Sequence, residues 1–317
     1  MAEYRTVNNS HTEFVFNAFT GLKEHRRLLF IPFFLTLVSS LVGNTLLIFI
    51  IKTQRSLHSP MYVLIAAIAC VDLSVPIIIV PKMLLGFLFD WNEISLSGCL
   101  LQMFFTYFVC SFQSTILLWM SLDRYVAICI PLRYSDYMNN STIFKLFVAA
   151  VLRNGSFVLI IVILASRLNF CLSNVIDHCF CEHMALVNLA CGDTTRNSIV
   201  GLIAVFCIPS IDVVFIVISY VKIFFVVSKM ASGKSRQKAI HTCGTHLIVI
   251  GTSYVFTMMP LLAYRIKSSM STDIRVLLSI MYLLFPSFFN PLIYGIRTKE
   301  IKEQILKIFQ KSCSIID

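Results

Sequence analysis

The side chains of this chain that could do chemistry are few, and most stand where water is scarce. Asp72, Arg153 and Asp212 each interrupt a long apolar run. An ionisable group in hydrocarbon is costly and marks a functional site by default. Asp72 is read in that way. Asp212 and Arg153 read as structural partners between neighbouring helices, with Arg153 also able to snorkel toward lipid headgroups. Paired Asp72 and Asp212 could suggest an intramembrane hydrolase, but nothing else in the chain supports that chemistry. Asp123-Arg124-Tyr125 sets an acid beside a base. Such neighbours can hold each other in one state and release in another, which makes a switch rather than a catalytic pair. In Asn290-Pro291-Leu292-Ile293-Tyr294 the proline removes a backbone hydrogen bond and bends its helix. Asn290 can satisfy the freed groups, and Tyr294 can swing as a unit. Between Arg167 and Arg196 lie Cys171, Cys179, Cys181 and Cys191, with His178 and His183 among them. His178, Cys179, Cys181 and His183 could be soft-metal ligands, or, in an oxidising compartment, the loop cysteines could be disulfide partners beside solvated histidines. The second reading is preferred, and no metal or cofactor is expected.

The elements that carry these residues follow from composition. Of 317 residues, 57% are hydrophobic and only 13% charged, with a mean hydropathy of +0.82. Soluble domains carry about a quarter charged residues, so a soluble enzyme and a disordered chain are largely excluded. A bilayer core takes roughly 20 apolar residues of helix. Seven stretches qualify: 28–51, 60–81, 98–122, 146–165, 197–221, 240–264 and 276–296. Hydrocarbon leaves helix as the only open-ended spanning structure. The expected fold is an all-α membrane protein, a seven-transmembrane helix bundle over residues 28–296. Residues 1–27 form an N-terminal tail without an apolar signal-peptide core, so the first span is expected to direct its own insertion. Residues 297–317 follow as a cytoplasmic tail. In it Ile301, Ile305, Leu306, Ile308 and Phe309 make one face of a short amphipathic helix lying along the membrane.

Charge sets the sidedness. The net charge of +10 gathers on the side that holds Lys52, Arg55, Arg124, Arg133, Lys222, Lys229, Lys234 and Lys299, which is therefore the cytoplasm. Lys23, Arg26 and Arg27 are a local exception at the outer end of the first span. Basic residues at an anionic inner leaflet explain the charge without nucleic acid. An odd number of spans then puts the N-terminus outside, at the plasma membrane, with Asn8 of Asn8-Asn9-Ser10 as a glycosylation acceptor. Asn139 and Asn140 also match the sequon but face the cytoplasm, and Asn154 matches inside a span. Cys99, at the top of the third span, joins the four outer-loop cysteines on the oxidising face. A tie from the loop to Cys99 would turn a loop of about thirty residues into an ordered lid.

These strings together resemble a rhodopsin-like G-protein-coupled receptor, and more narrowly an olfactory receptor. LHSPMY (57–62), PKML (81–84), GCLLQMFF (98–105), MSLDRYVAICIPLRY (120–134), KAIHTCGTHL (238–247) and NPLIY (290–294) carry the resemblance across nearly the whole chain. CEHMALVNLAC (181–191), YGIRTKEI (294–301) and Asp212 are similar to the class I branch, which is associated with water-soluble, often acidic odorants. The resemblance implies disulfides Cys99–Cys181 and Cys171–Cys191, with Cys179 spare. It implies a polar core of Asn44 and Asp72, where Gln113 replaces the usual Glu and puts sodium regulation in doubt. It implies coupling residues Asp123, Arg124, Tyr125, Tyr220, Asn290, Pro291 and Tyr294. The partner implied is a stimulatory olfactory heterotrimeric G protein that raises cyclic AMP; the receptor makes and breaks no bond. Ligand contacts are expected from Met103, Phe104, Tyr107 and Ser111 on one face of the third span, and from Tyr254, Thr257, Met258, Leu261 and Arg265 along the sixth. Arg265 could clamp a carboxylate in bidentate fashion. An amine receptor would need an acid near Thr106, and a retinal protein a Lys in 276–296; neither is present. A seven-span channel or transporter would show repeats with broken helices, and none is seen. The same receptor fold sensing a non-odorant metabolite outside the olfactory epithelium is the alternative.

Overall fold

The computed structural model describes residues 10–265 and 270–316. The side chains of 23, 24, 205, 208, 260–265, 309 and 311–316 lie outside that description. Eight long helices follow one another: α1 (Phe30–Thr53), α2 (Pro60–Phe89), α3 (Leu96–Cys129), α4 (Asn140–Ser166), α5 (Thr195–Lys229), α6 (Lys234–Arg265), α7 (Thr272–Arg297) and α8 (Lys299–Ile316). Among the described residues six of them are long and apolar enough to cross a membrane: α1 to α5 and α7. The seventh span is α6, 32 residues long, whose outer end enters the residues with undescribed side chains. The bundle is that of a multi-pass membrane protein.

Six of the seven expected spans have become longer helices, and the first keeps its 24 residues, shifted by two positions. Apolar residues set the part inside hydrocarbon, where every backbone group must be bonded within the helix. Polar residues then fix the ends outside it. Pro60 opens α2 at its first turn, where its missing N–H costs nothing. Ser95 caps α3 by accepting the Gly98 amide at 3.2 Å, and Asn139 caps α4 by accepting the Thr142 amide at 2.9 Å. Asp90 ends α2 in the left-handed region, at φ 56°.

Helices α2, α3 and α7 are the most enclosed, with about half of each apolar segment buried. Ile68, Ile79, Ile116 and Ile280 are almost wholly covered at their meeting line. Helices α1, α4 and α5 bury only about a quarter and turn large apolar side chains outward. Phe34, Leu152 and Phe224 are examples, each at least 40% exposed. Only lipid makes such a surface tolerable.

One feature departs from a purely helical plan. A three-stranded sheet caps the outer side in the order β2-β1-β3. Its middle strand β1 (Glu13–Phe16) comes from the N-terminal tail. It pairs antiparallel with β2 (Glu93–Ser95), between α2 and α3, and parallel with β3 (Val175–Ile176), in the loop between α4 and α5. The tail is therefore built into the lid. Strands this short, paired across the whole length of α2 and farther, leave no alternation in the sequence from which to read them.

Candidate functional site

The outer lid is held from several directions. Disulfides join Cys99 to Cys181 and Cys171 to Cys191, with Cα–Cα separations of 5.3 and 5.7 Å. Cys179 stays a buried free thiol. The Gln102 side-chain oxygen accepts the Cys181 amide at 2.9 Å. The Tyr107 hydroxyl accepts the His183 amide at 2.9 Å and donates to Glu182 Oε1 at 3.3 Å. Glu182 also caps the one-turn helix His183–Val187 through the Ala185 amide. Burial raises the Glu182 carboxyl, and the amides of Met184 and Ala185 and the Tyr107 hydroxyl pull it back. Burial pushes His178 down to about 3 and His183 down to about 4, so both rings are neutral. Burial raises the Cys179 thiol. The His183 ring fits against α5 because residue 201 is glycine: a Cβ there would sit 2.5 Å from His183 Cε1.

Beneath the lid the expected ligand residues divide. Met103 is fully buried and packs with Cys99, Phe170 and Leu186. Tyr107 is engaged by the lid. Ser111 donates back to the Phe108 carbonyl at 2.9 Å, and Thr257 to that of Ser253 at 2.8 Å. Phe104 stacks on Phe108 with ring centroids 5.9 Å apart, in a row continued by Phe112 and by Phe147 of α4. It belongs to the side of α3 that meets α4. Met258 is exposed. The side chains of Leu261 and Arg265 lie outside the described residues, as does Asn8.

Below this level a polar chain crosses the bundle. Arg153 of α4 pairs with Asp212 of α5 at 2.9 Å. Ser114 of α3 donates to the other Asp212 oxygen at 2.8 Å. The Ser114 hydroxyl also meets the Tyr254 hydroxyl of α6 at 2.9 Å. Four spans are thus tied by four side chains, and Asp212 is wholly buried. Sequence reasoning names Asp212 and Arg153 as structural partners without pairing them, and passes over Ser114. The available signal is its place one turn inward from Ser111.

The inner half holds the motif residues. Asp72 accepts from Gln113 Nε2 at 3.1 Å and from Asn290 Nδ2 at 2.9 Å. Asn44 donates to the Ser287 carbonyl at 2.8 Å, joining α1 to α7. Pro291 packs on Gly43, where a Cβ would lie 3.1 Å from the proline ring. Asp123 is fully buried and holds Arg124 through Nε at 2.9 Å and through Nη2. Its second oxygen accepts from the Tyr134 hydroxyl at 2.7 Å. Burial and this bond to Asp123 raise the Tyr134 hydroxyl above its ordinary range. Tyr134 closes the string 120–134, yet the string alone gives it no role. Tyr125 lies under the Lys222 ammonium, 5.8 Å from its ring centre. The Tyr294 hydroxyl faces Met120 Sδ at 3.8 Å, and its ring meets His246 edge-on. The Tyr220 hydroxyl has no partner among the described residues. This is a closed arrangement, with Arg124 held by its own neighbour.

Comparison with known proteins agrees with this architecture. The family model described as "Olfactory receptor" matches residues 33–312. Human Olfactory receptor 52K1 is 40% identical over 291 residues, covering 92% of this chain and 93% of that protein. Human Olfactory receptor 51E2 is 38% identical over 308 residues, covering 97% and 96%, and its mouse counterpart gives the same figures. A lidded bundle with an acid–base pair at its inner end and a likeness that runs almost end to end leave one placement: the chain belongs to the olfactory receptor family, as a G-protein-coupled membrane receptor and not an enzyme.

Proposed function

We propose that this receptor takes small polar or acidic odorants in the outer half of its bundle and activates a stimulatory olfactory G protein, raising cyclic AMP. It does so at the plasma membrane with its N-terminus outside. The observation that carries the reading is the Ser114–Tyr254 contact, backed by Asp212 and Arg153. A ligand seated between α3 and α6 above this contact bears on both helices at once. Thr257 stands about one turn outward of Tyr254, and Ser111 about one turn outward of Ser114. A ligand shifts the equilibrium only as far as it prefers one state. Loosening Tyr254 from Ser114 frees α6 to swing its inner end outward. Arg124 then exchanges Asp123 for the G protein, with Tyr220 and Tyr294 supporting the open form.

Arg265 supplies the anchor for an acid. The test is a cyclic AMP screen of cells displaying the chain against organic acids, alcohols and aldehydes. With an acid agonist in hand, Arg265→Ala should cost about tenfold or more in potency, the worth of a charge-assisted hydrogen bond. An acid agonist that keeps its potency on the Arg265→Ala receptor removes the anchor.

A further inference from the structure

Two residues in the strings that carry the family likeness have no part in the reading above: Arg297 in YGIRTKEI and Thr245 in KAIHTCGTHL. The structure joins them. Arg297, at the inner end of α7, donates through Nε to the Thr245 hydroxyl of α6 at 3.2 Å. Among the described residues this is the one hydrogen bond of the Arg297 side chain. Thr245 is buried and gives its own proton back to the His241 carbonyl at 3.0 Å. Toward α7 it can therefore only accept, and a guanidinium can only donate. The guanidinium also lies beside residue 244, a glycine: a Cβ there would be 3.8 Å from Arg297 Nη2. One side of this contact is a fixed post. Pro291 of α7 packs on Gly43 of α1, Asn290 bonds Asp72 of α2, and just past Arg297 the chain is seated by the wholly buried Ile301. The other side, α6, is the helix that the reading above sets in motion. The Asp123–Arg124 pair lies within α3, and Tyr134 adds only the loop after it, so among the described residues that switch places no hydrogen bond on α6. Two side-chain hydrogen bonds among the described residues do run from α6 to another helix. One is Tyr254 to Ser114 in mid-bundle. The other is Thr245 to Arg297, about 14 Å farther in along the helix.

We propose that Arg297 is a latch that holds the inner end of α6 closed, a restraint on opening separate from the Asp123–Arg124 pair. The inference rests on the outward swing of α6 in the reading above. With the latch made, α6 is pinned at two depths and cannot pivot about either. Opening has to break both ties. A ligand above Ser114 bears on the Tyr254 tie, whereas the Arg297 tie lies beyond its reach and raises the preference for the open state that a ligand must supply. A hydrogen bond from a charged donor holds such an equilibrium closed by about tenfold. Arg297 and Thr245 thus set the ligand-free activity without touching the ligand.

The test reads α6 directly, without ligand or G protein. Cys243 is a buried free thiol on the inner part of α6, packed with Ile223 and Val227 of α5 and Tyr125 of α3. Outward movement of α6 uncovers it. The purified full-length receptor in nanodiscs is treated with N-ethylmaleimide, and labelling at each cysteine is followed by mass spectrometry. Thr245→Val removes the acceptor at nearly constant shape and should label Cys243 about tenfold faster than the unaltered receptor. Arg297→Met should do the same, and the double variant should be no faster than either, because each removes the same bond. Cys179, buried in the lid at the other end, should stay unlabelled, which separates local opening from unfolding. Tyr254→Phe cuts the other tie and reports on the swing itself. If it speeds Cys243 labelling while the two latch variants keep the unaltered rate, the latch is overturned and the swing stands. If none of the three speeds it, the swing is overturned and the latch with it. A double variant whose rate gain is the product of the two single gains also overturns the latch.

Discussion

At the scale of single residues, two hydroxyls tie helices or loops together through side-chain hydrogen bonds. Ser114 satisfies Asp212 and meets Tyr254 at the same time. Ser114→Ala leaves a buried carboxylate oxygen and a phenol short of a partner. That should destabilise the receptor by about 1–3 kcal/mol, the ordinary cost of an orphaned buried polar group. The measurement is the thermal melting of Ser114→Ala beside the unaltered receptor, and an unchanged melt would refute the relay as a structural tie. Tyr134 bonds a single partner, Asp123, at the proposed switch. Its bond to Asp123 keeps that carboxylate occupied while it holds Arg124. Tyr134→Phe removes a hydrogen bond to a charged group, worth about 1.5–3 kcal/mol. Basal nucleotide exchange on the G protein should then rise without ligand. Motif residues such as Asp123, Arg124 and Asn290 were legible from the sequence because their types are rare in an apolar run. Ser114 and Tyr134 were not. A serine in a membrane helix more often bonds back to its own turn, as Ser111 does, and a tyrosine in a short inner loop carries no sign of which helix it will meet.

At the scale of elements, the spans were readable because hydrocarbon enforces length and apolarity together. Their ends were less so: α3 runs from Leu96 to Cys129, past both limits of the apolar stretch, because caps and loop contacts extend a helix where apolarity no longer demands it. The lid is the element whose behaviour follows most directly from charge. His178 and His183 are buried and neutral, with pKa values lowered to about 3 and about 4, against about 6.5 in an open chain. Between those limits the opened lid binds more protons than the closed one, so acid favours opening. The stability from these rings is complete above about pH 6.5 and drains away as pH falls toward 4. Glu182 is raised and works in the opposite sense, but its amide and Tyr107 partners hold its shift back, leaving the two histidines in control. Hydrogen exchange over 171–191, corrected for intrinsic rates, should show less protection at pH 5 than at pH 7. Equal protection at both would contradict burial of the rings.

At the scale of the whole molecule, the proposed sidedness rests on charge asymmetry and span count, and the acceptor asparagines test it. Enzymatic removal of N-glycans should shift the receptor's mass, and Asn8→Gln should abolish the shift. Asn139 has other work, since its side-chain oxygen caps α4. Asn154 is buried, with its amide donating to Thr115. The sheet is the part of the whole that the sequence concealed, and it changes how the front of the chain must be handled. Because β1 is the middle strand, trimming the chain through Phe16 would not shorten a loose leader but pull out a keystone, leaving the two flanking strands facing a gap. A protease that cuts between β1 and α1 would loosen the receptor's roof while every membrane crossing stayed in place.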